Sequence, residues 1–123
     1  MQRKILIVDD ELDVLTILEK KLRENDFFVT AVSKGKDAVT FARLDKPDLI
    51  LLDIILPDLD GYSVASLIRE DKDLKDVPII FLTGKPLETK GIHDRLLELG
   101  ACDYLTKPCE FKDILAKIKG FLI

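Results

Sequence analysis

Asp9, Asp10, Asp53, Thr83 and Lys107 each stand at or just beyond the end of a short apolar run. Three carboxylates and one ammonium, if gathered in one place, define a narrow range of chemistry. Two carboxylates about 5 Å apart repel by about 3 kcal/mol at an effective dielectric of 20. Three do not stay ionised together without a cation. Donors that are all oxygen favour a hard ion, and Mg²⁺ accepts a few protein ligands while keeping several waters. A carboxylate beside such an ion can be ligand and nucleophile at once, attacking phosphorus while the metal screens the incoming oxygens. Asp53 suits that part. Lys107 can pair with a phosphoryl oxygen as a point charge, Thr83 can donate its hydroxyl to another, and Gly84 leaves room for the group.

These residues act together only if the chain brings the ends of its strands to one edge. Leu49 to Leu52, before Asp53, are continuously apolar, as in a strand buried on both faces of a parallel sheet. Pro57 and Gly61 break the chain beyond it, so Asp53 is expected to face a loop and solvent. Ile5 to Val8 reads as the first strand. Leu12, Leu15, Leu18 and Leu22 then recur at helical spacing as far as Asn25, with acids at the start and Lys20, Lys21 and Arg23 near the end. Phe27 to Val32 is a second strand, and Lys36 to Leu44 a second helix. Ser63 to Glu70 makes a third helix with Val64, Leu67 and Ile68 inward. Val77 to Leu82 is a fourth strand, and a polar loop leads to a helix near His93 to Leu99, stopped by Gly100. Ala101 to Leu105 is the fifth strand. The last helix carries the stripe Phe111, Ile114, Leu115, Ile118, Phe121 and Leu122.

The alternation is a strand and a helix repeated five times. Right-handed crossovers turn it into a doubly wound parallel α/β sheet with helices on both faces. The order 2-1-3-4-5, flavodoxin-like, is one of the two common solutions, and puts the switch point between the first and third strands. All strand C-termini then share one edge, where the acids, Thr83 and Lys107 meet.

Composition bounds the rest. The 123 residues, 47% hydrophobic and 34% charged, suit a single domain over 1–123. No apolar run approaches the roughly 18 residues of a membrane span. Met1-Gln-Arg-Lys leads straight into a strand, so no secretory signal and no membrane association are expected. Cys102 and Cys109 read as reduced, structural thiols of a cytoplasmic protein. Nineteen basic against 23 acidic residues, a net charge of −4, argues against direct nucleic-acid binding.

Four stretches, Ile5-Leu-Ile-Val-Asp9-Asp10-Glu11, Asp53-Ile-Ile-Leu-Pro57-Asp-Leu-Asp60-Gly61, Phe81-Leu-Thr83-Gly84 and Gly100-Ala-Cys-Asp-Tyr104-Leu-Thr-Lys107-Pro108, are spread over essentially the whole chain. In these the sequence resembles the receiver domain of two-component response regulators, the chemotaxis-regulator type included. The resemblance implies a signalling switch that takes a phosphoryl group onto Asp53 from a histidine kinase or phosphotransfer protein. It implies Mg²⁺, replaceable by Mn²⁺, bound by Asp10, Asp53 and the backbone carbonyl of Ile55, with Asp9 holding a metal-bound water. Thr83 and Tyr104 are implied as the switch pair, and Lys107–Pro108 as a cis peptide. The fourth helix, fifth strand and last helix would present the changed face to a partner or output domain. By the same resemblance there is no dedicated substrate, only self-catalysed phosphorylation and dephosphorylation.

Three features depart from the family pattern. Cys109 follows Lys-Pro where phenylalanine is common. Lys85 and Ile55 occupy positions that the family varies to set phosphoryl lifetime, and Lys85 is expected to touch the phosphoryl group or a site acid. The Thr83–Lys107 interval is about two residues longer than is usual in the family, so the loop over Gly84–Gly91 is expected to be enlarged and mobile. With the chain ending at Ile123, the sequence reads as a free-standing receiver or one excised from a longer regulator.

Plainer readings stand beside these. Asp9 or Glu11 alone would be helix caps. Tyr104 could be an ordinary half-buried strand residue, and His93 an exposed helix residue. Lys112, Lys117 and Lys119 could be a solvated face. An aspartate-nucleophile phosphohydrolase would want Asp-x-Asp after the first strand, and a nucleotide module a Gly-rich first loop. The nearer alternative is a pseudo-receiver that binds partners without phosphoryl turnover, against which the intact acid, threonine and lysine set argues.

Overall fold

A computed structural model describes residues 2–84, 94, 96–100 and 103–122. Five parallel strands, β1 (Lys4–Val8), β2 (Phe28–Val32), β3 (Leu49–Asp53), β4 (Ile79–Thr83) and β5 (Asp103–Thr106), form one sheet in the order β2-β1-β3-β4-β5. This is the flavodoxin-like α/β fold. Leu49, Ile50, Leu51 and Leu52 are fully buried, as an unalternating apolar run requires when helices cover both faces.

One face packs Ile5, Ile7, Leu49, Leu51, Ile80 and Leu82 against α1 (Leu12–Glu24) and the C-terminal helix (Phe111–Leu122). The other packs Leu6, Val8, Ile50, Leu52, Ile79 and Phe81 against α2 (Gly35–Asp45) and α3 (Gly61–Arg69). The sequence stripes are trimmed at their ends. In α1 Leu15, Leu18 and Leu22 are buried, whereas Leu12, the first helical residue, lies at the rim and is exposed. In the C-terminal helix Ile114 and Ile118 carry the burial. Asp94 and residues 96–98 are helical, and Gly100 follows at φ +68, the left-handed stop expected of it. His93, Cys102 and Lys85 with the rest of its loop lie outside the described residues.

Two boundaries move for physical reasons. The third helix starts at Gly61 rather than Ser63, because the Asp60 carboxylate accepts from the Ser63 amide at 2.9 Å and caps the helix two residues earlier. Gly61 is therefore the first helical residue as well as a turn residue. A Cβ there would lie 2.4 Å from the Asp53 carbonyl oxygen and 2.7 Å from Ile54 Cα, so only glycine lets the helix start this close to the end of β3. β4 begins at Ile79, past Pro78, which cannot donate to the ladder.

Candidate functional site

The ends of β1, β3, β4 and β5 meet at one edge. Thr83 pairs in register with Thr106, and Asp53 with Leu82. The Lys107 amide donates to the Thr83 carbonyl at 2.6 Å, which carries Lys107 back over the sheet edge. The Lys107–Pro108 peptide is cis.

The ammonium of Lys107 donates to Asp9 Oδ2 at 2.6 Å, to Asp53 Oδ2 at 3.1 Å and to Glu11 Oε1 at 3.2 Å. Asp9 is fully buried and Asp53 only 5% exposed. The expectation that Asp53 faces solvent is corrected here, because Lys107 and the loop after β3 close over it. Its second oxygen, Oδ1, accepts from the Ile55 amide at 3.2 Å. Asp9 Oδ1 accepts from the Glu11 amide at 2.9 Å.

Burial raises the Asp53 carboxyl above the ordinary carboxylate range; the hydrogen bond and charge of Lys107 pull the other way, and the neighbouring Asp9 charge adds to the rise. Burial also disfavours the charged form of Lys107, but its hydrogen bonds to Asp9 and Asp53 and their charges more than offset this. The ammonium is held above the usual lysine range. The site is thus a tight set of opposed charges in which one lysine supplies part of the screening that three acids require.

One oxygen each from Asp9, Asp10 and Asp53 lies within 4.8 Å of the others, with Asp10 the exposed member. Three hard donors converging from two strand ends, one of them open to water, fit Mg²⁺, which keeps part of its hydration shell. Ile55 follows Asp53 by two residues, and its amide bond to Asp53 Oδ1 puts its backbone beside this cluster. Thr83 is buried at the same edge. Tyr104 pairs in register with Phe81 and is partly buried against the α2/α3 side of the sheet. Two residues separate Phe81 from Thr83, so Thr83 and Tyr104 are diagonal neighbours on one sheet face.

Beside Lys107 a groove of about 470 Å³ runs between α1 and the C-terminal helix, lined among others by Val14, Leu18, Cys109 and Phe111. Cys109 is a free, half-buried thiol whose pKa is raised by burial.

Sequence reasoning missed two carboxylates. Glu11 occupies the cap position of α1 yet makes no capping bond with its side chain, which reaches Lys107 instead. Asp58 reads as one more loop acid, but its two oxygens accept from the amides of Gly35 and Lys36 at the start of α2. The available signal was Lys34: a lysine before a helix cannot cap it, so an acceptor must come from elsewhere.

The sheet is flavodoxin-like, with an acid cluster and a lysine at its switch-point edge. The family model of the response regulator receiver domain matches residues 5–119, and the chain belongs to that family. The alkaline phosphatase synthesis transcriptional regulatory protein PhoP of Bacillus subtilis (strain 168) is 41% identical over 122 residues, covering 99% of this chain and 49% of that protein. The chain spans about half the length of the curated relatives it matches. The receiver domain of the sensor histidine kinase PA1611 from Pseudomonas aeruginosa PAO1, solved with a magnesium ion coordinated in its active-site cleft, is 36% identical. It covers 98% of both chains at a TM-score of 0.86. A two-component response regulator from Clostridium difficile is 31% identical at a TM-score of 0.88, over 98% of this chain and 96% of that one. Membership implies phosphorylation-dependent switching and exchange with a histidine kinase or phosphotransfer protein. No described helix is long and apolar enough to cross a membrane.

Proposed function

We propose that Asp53 is the phosphoacceptor of a Mg²⁺-dependent switch. The observation that carries this is the convergence on Asp53 of Lys107 at 3.1 Å and of two further acids within 4.8 Å. Asp10, Asp53 and the Ile55 carbonyl would hold the ion, with Asp9 reaching it through water, and Mn²⁺ can replace it. When bound, Mg²⁺ neutralises the acids and screens the oxygens of an incoming anion. An Asp53 carboxylate oxygen bonds to phosphorus as the phosphorus–nitrogen bond of the donor phosphohistidine breaks and the imidazole leaves. Lys107, already inside the cluster, follows the charge from the carboxylate to a phosphoryl oxygen. The Thr83 hydroxyl donates to a second oxygen. Its movement vacates space on the sheet face it shares with Tyr104, and the ring's inward shift alters the surface offered to a partner or output domain. Ile55 and Lys85 tune how long the phosphoryl group persists. A cytoplasmic location accompanies this reading. Nothing favours the pseudo-receiver alternative, since the acids and lysine are assembled rather than scattered.

Acetyl phosphate with Mg²⁺, followed by intact mass, tests the proposal. One added phosphoryl group is expected, lost in Asp53→Asn and in EDTA. A phosphoryl group mapped to Asp9, Asp10 or His93, or undiminished labelling in EDTA, would overturn it. Lifetimes of wild type and Lys85→Ala should differ severalfold; equal lifetimes leave Lys85 a surface lysine.

A further inference from the structure

We propose that Asp58 is a positioning residue for the metal site, holding the loop that presents the Ile55 carbonyl by tying it to the start of α2. The proposal rests on the reading of Asp10, Asp53 and Ile55 as metal ligands. The loop from Ile54 to Asp60 joins β3 to α3, and its two ends are pinned. The Gly61 amide donates to the Ile54 carbonyl at 2.6 Å, and the Asp60 carboxylate caps α3. Between them Ile54, Leu56 and Leu59 are partly buried against the core, but Ile55, Pro57 and Asp58 are exposed, so apolar burial does not hold the loop at these three residues.

Asp58 supplies a third anchor. Its Oδ1 accepts from the Gly35 amide at 2.7 Å and its Oδ2 from the Lys36 amide at 2.9 Å. Two amides on two oxygens define the direction of the carboxylate as well as its distance. The anchor point is firm: a Cβ on Gly35 would lie 2.8 Å from Val64 Cγ2 and 2.9 Å from Leu59 Cβ, so α2 starts in direct contact with α3 and with this loop. The helix needs the bond as much as the loop does, since Lys34 offers no cap and the first amides would otherwise look to water. The positive end of α2 also suits a carboxylate, and the amides of Lys36 and Gly35 hold the Asp58 carboxyl below its usual range. Asp58 touches neither the acids nor Lys107. It acts through the backbone, three residues from Ile55, much as outer partners orient metal ligands elsewhere.

The test is Mg²⁺ titration followed by NMR shifts of the site amides, with urea stability measured alongside. Asp58→Ala is expected to weaken Mg²⁺ binding about three- to tenfold, and Asp58→Asn, which keeps one acceptor oxygen, to fall between it and the wild type. At saturating Mg²⁺ both variants should be labelled by acetyl phosphate within about twofold of the wild-type rate, because no reacting atom is lost. Asp58→Ala combined with Lys34→Ser separates the two roles of the bond. It caps α2 from within and should recover stability while Mg²⁺ binding stays weak. Wild-type affinity in Asp58→Ala, or affinity restored by Lys34→Ser, would overturn the proposal and leave Asp58 a helix cap only. A wild type that binds no Mg²⁺, or an Asp10→Ala variant that binds it equally well, would remove the metal site itself and this inference with it.

Discussion

In the absence of metal, Asp53→Asn should be more stable than the wild type at neutral pH, by about 1–2 kcal/mol. The ionised Asp53 has acid oxygens of Asp9 and Asp10 within 4.8 Å, and each such pair repels by about 3 kcal/mol at an effective dielectric of 20. Against this, Lys107 at 3.1 Å attracts by about 5 kcal/mol on the same scale. Asp10 is exposed and its share is screened, so the charge terms come close to cancelling. Desolvation then decides the sign, for the carboxylate is 5% exposed and burial is the main cause of its raised pKa. Asparagine keeps one acceptor oxygen, for Lys107 or for the Ile55 amide but not for both, without a charge to desolvate, and Lys107 keeps Asp9 and Glu11.

The pH dependence follows from linkage. The folded protein holds the Asp53 proton more tightly than the unfolded chain does, so the stability due to protonation is complete below about pH 4. It is lost as pH rises through the raised folded value. The advantage of Asp53→Asn therefore grows from its smallest below pH 4 to its full size at neutral pH. Mg²⁺ at tenfold over its dissociation constant adds about 1.4 kcal/mol to the wild type and less to the variant, narrowing the gap. Urea unfolding followed by circular dichroism, from pH 4 to 8 in EDTA and in Mg²⁺, measures all of this. A variant less stable than the wild type in EDTA at neutral pH, or an advantage that grows as pH falls, would refute the reasoning.

Other outcomes follow from single contacts. Gly61→Ala drives a Cβ to 2.4 Å from the Asp53 carbonyl oxygen and should destabilise by about 2–3 kcal/mol in urea while slowing phosphorylation, since the strained backbone carries Asp53. Arg69 donates to the carbonyls of Leu74, Val77, Leu99 and Gly100 at 2.7–2.8 Å. Its replacement by alanine should cost about 2–3 kcal/mol, with lysine recovering less than half because an ammonium cannot span the same acceptors. Lys107→Met leaves Asp9 and Asp53 buried without their shared cation, and should lower both metal-free stability and the phosphorylation rate at saturating Mg²⁺; an unchanged rate would place Lys107 outside the reaction.

What could be read from the chain was whatever depends on periodicity or on strand ends. The unbroken apolar run of β3 implies burial on both faces, and five such alternations leave few topologies, so the sheet order and its functional edge were both legible. Local competition was less so. Asp60 and Gly61 read as turn residues until the carboxylate is seen to cap α3 and the glycine to pass against the Asp53 carbonyl. Pairings distant in sequence were legible only where both partners stand at strand ends, as Lys107 and Asp53 do. Nothing in the local spacing says that Asp58 bonds to amides 22 and 23 residues earlier, or that Glu11 reaches a lysine 96 residues away. Such bonds are set by where the fold brings elements together.

Why Asp53 rather than its neighbours should carry the phosphoryl group follows from how each acid is engaged. Asp9 is fully buried, and its bonds to Lys107 at 2.6 Å and to the Glu11 amide at 2.9 Å are both shorter than those that Asp53 makes to Lys107 and the Ile55 amide, at 3.1 and 3.2 Å. Asp10 is exposed, where water competes for the ion and for any donor. Asp53 lies between: shielded, held by one amide and one ammonium, and at the end of the central strand. Charge explains why it cannot act unaided. Four carboxylates against one ammonium leave three net negative charges around the nucleophile, and an anionic donor meets that field first. A divalent ion removes two of them, after which the lysine is free to follow the incoming charge. On this argument the proposed metal requirement comes from approach as much as from chemistry. Raising ionic strength, which screens approach, should then partly rescue slow labelling at low Mg²⁺ and leave labelling in EDTA absent.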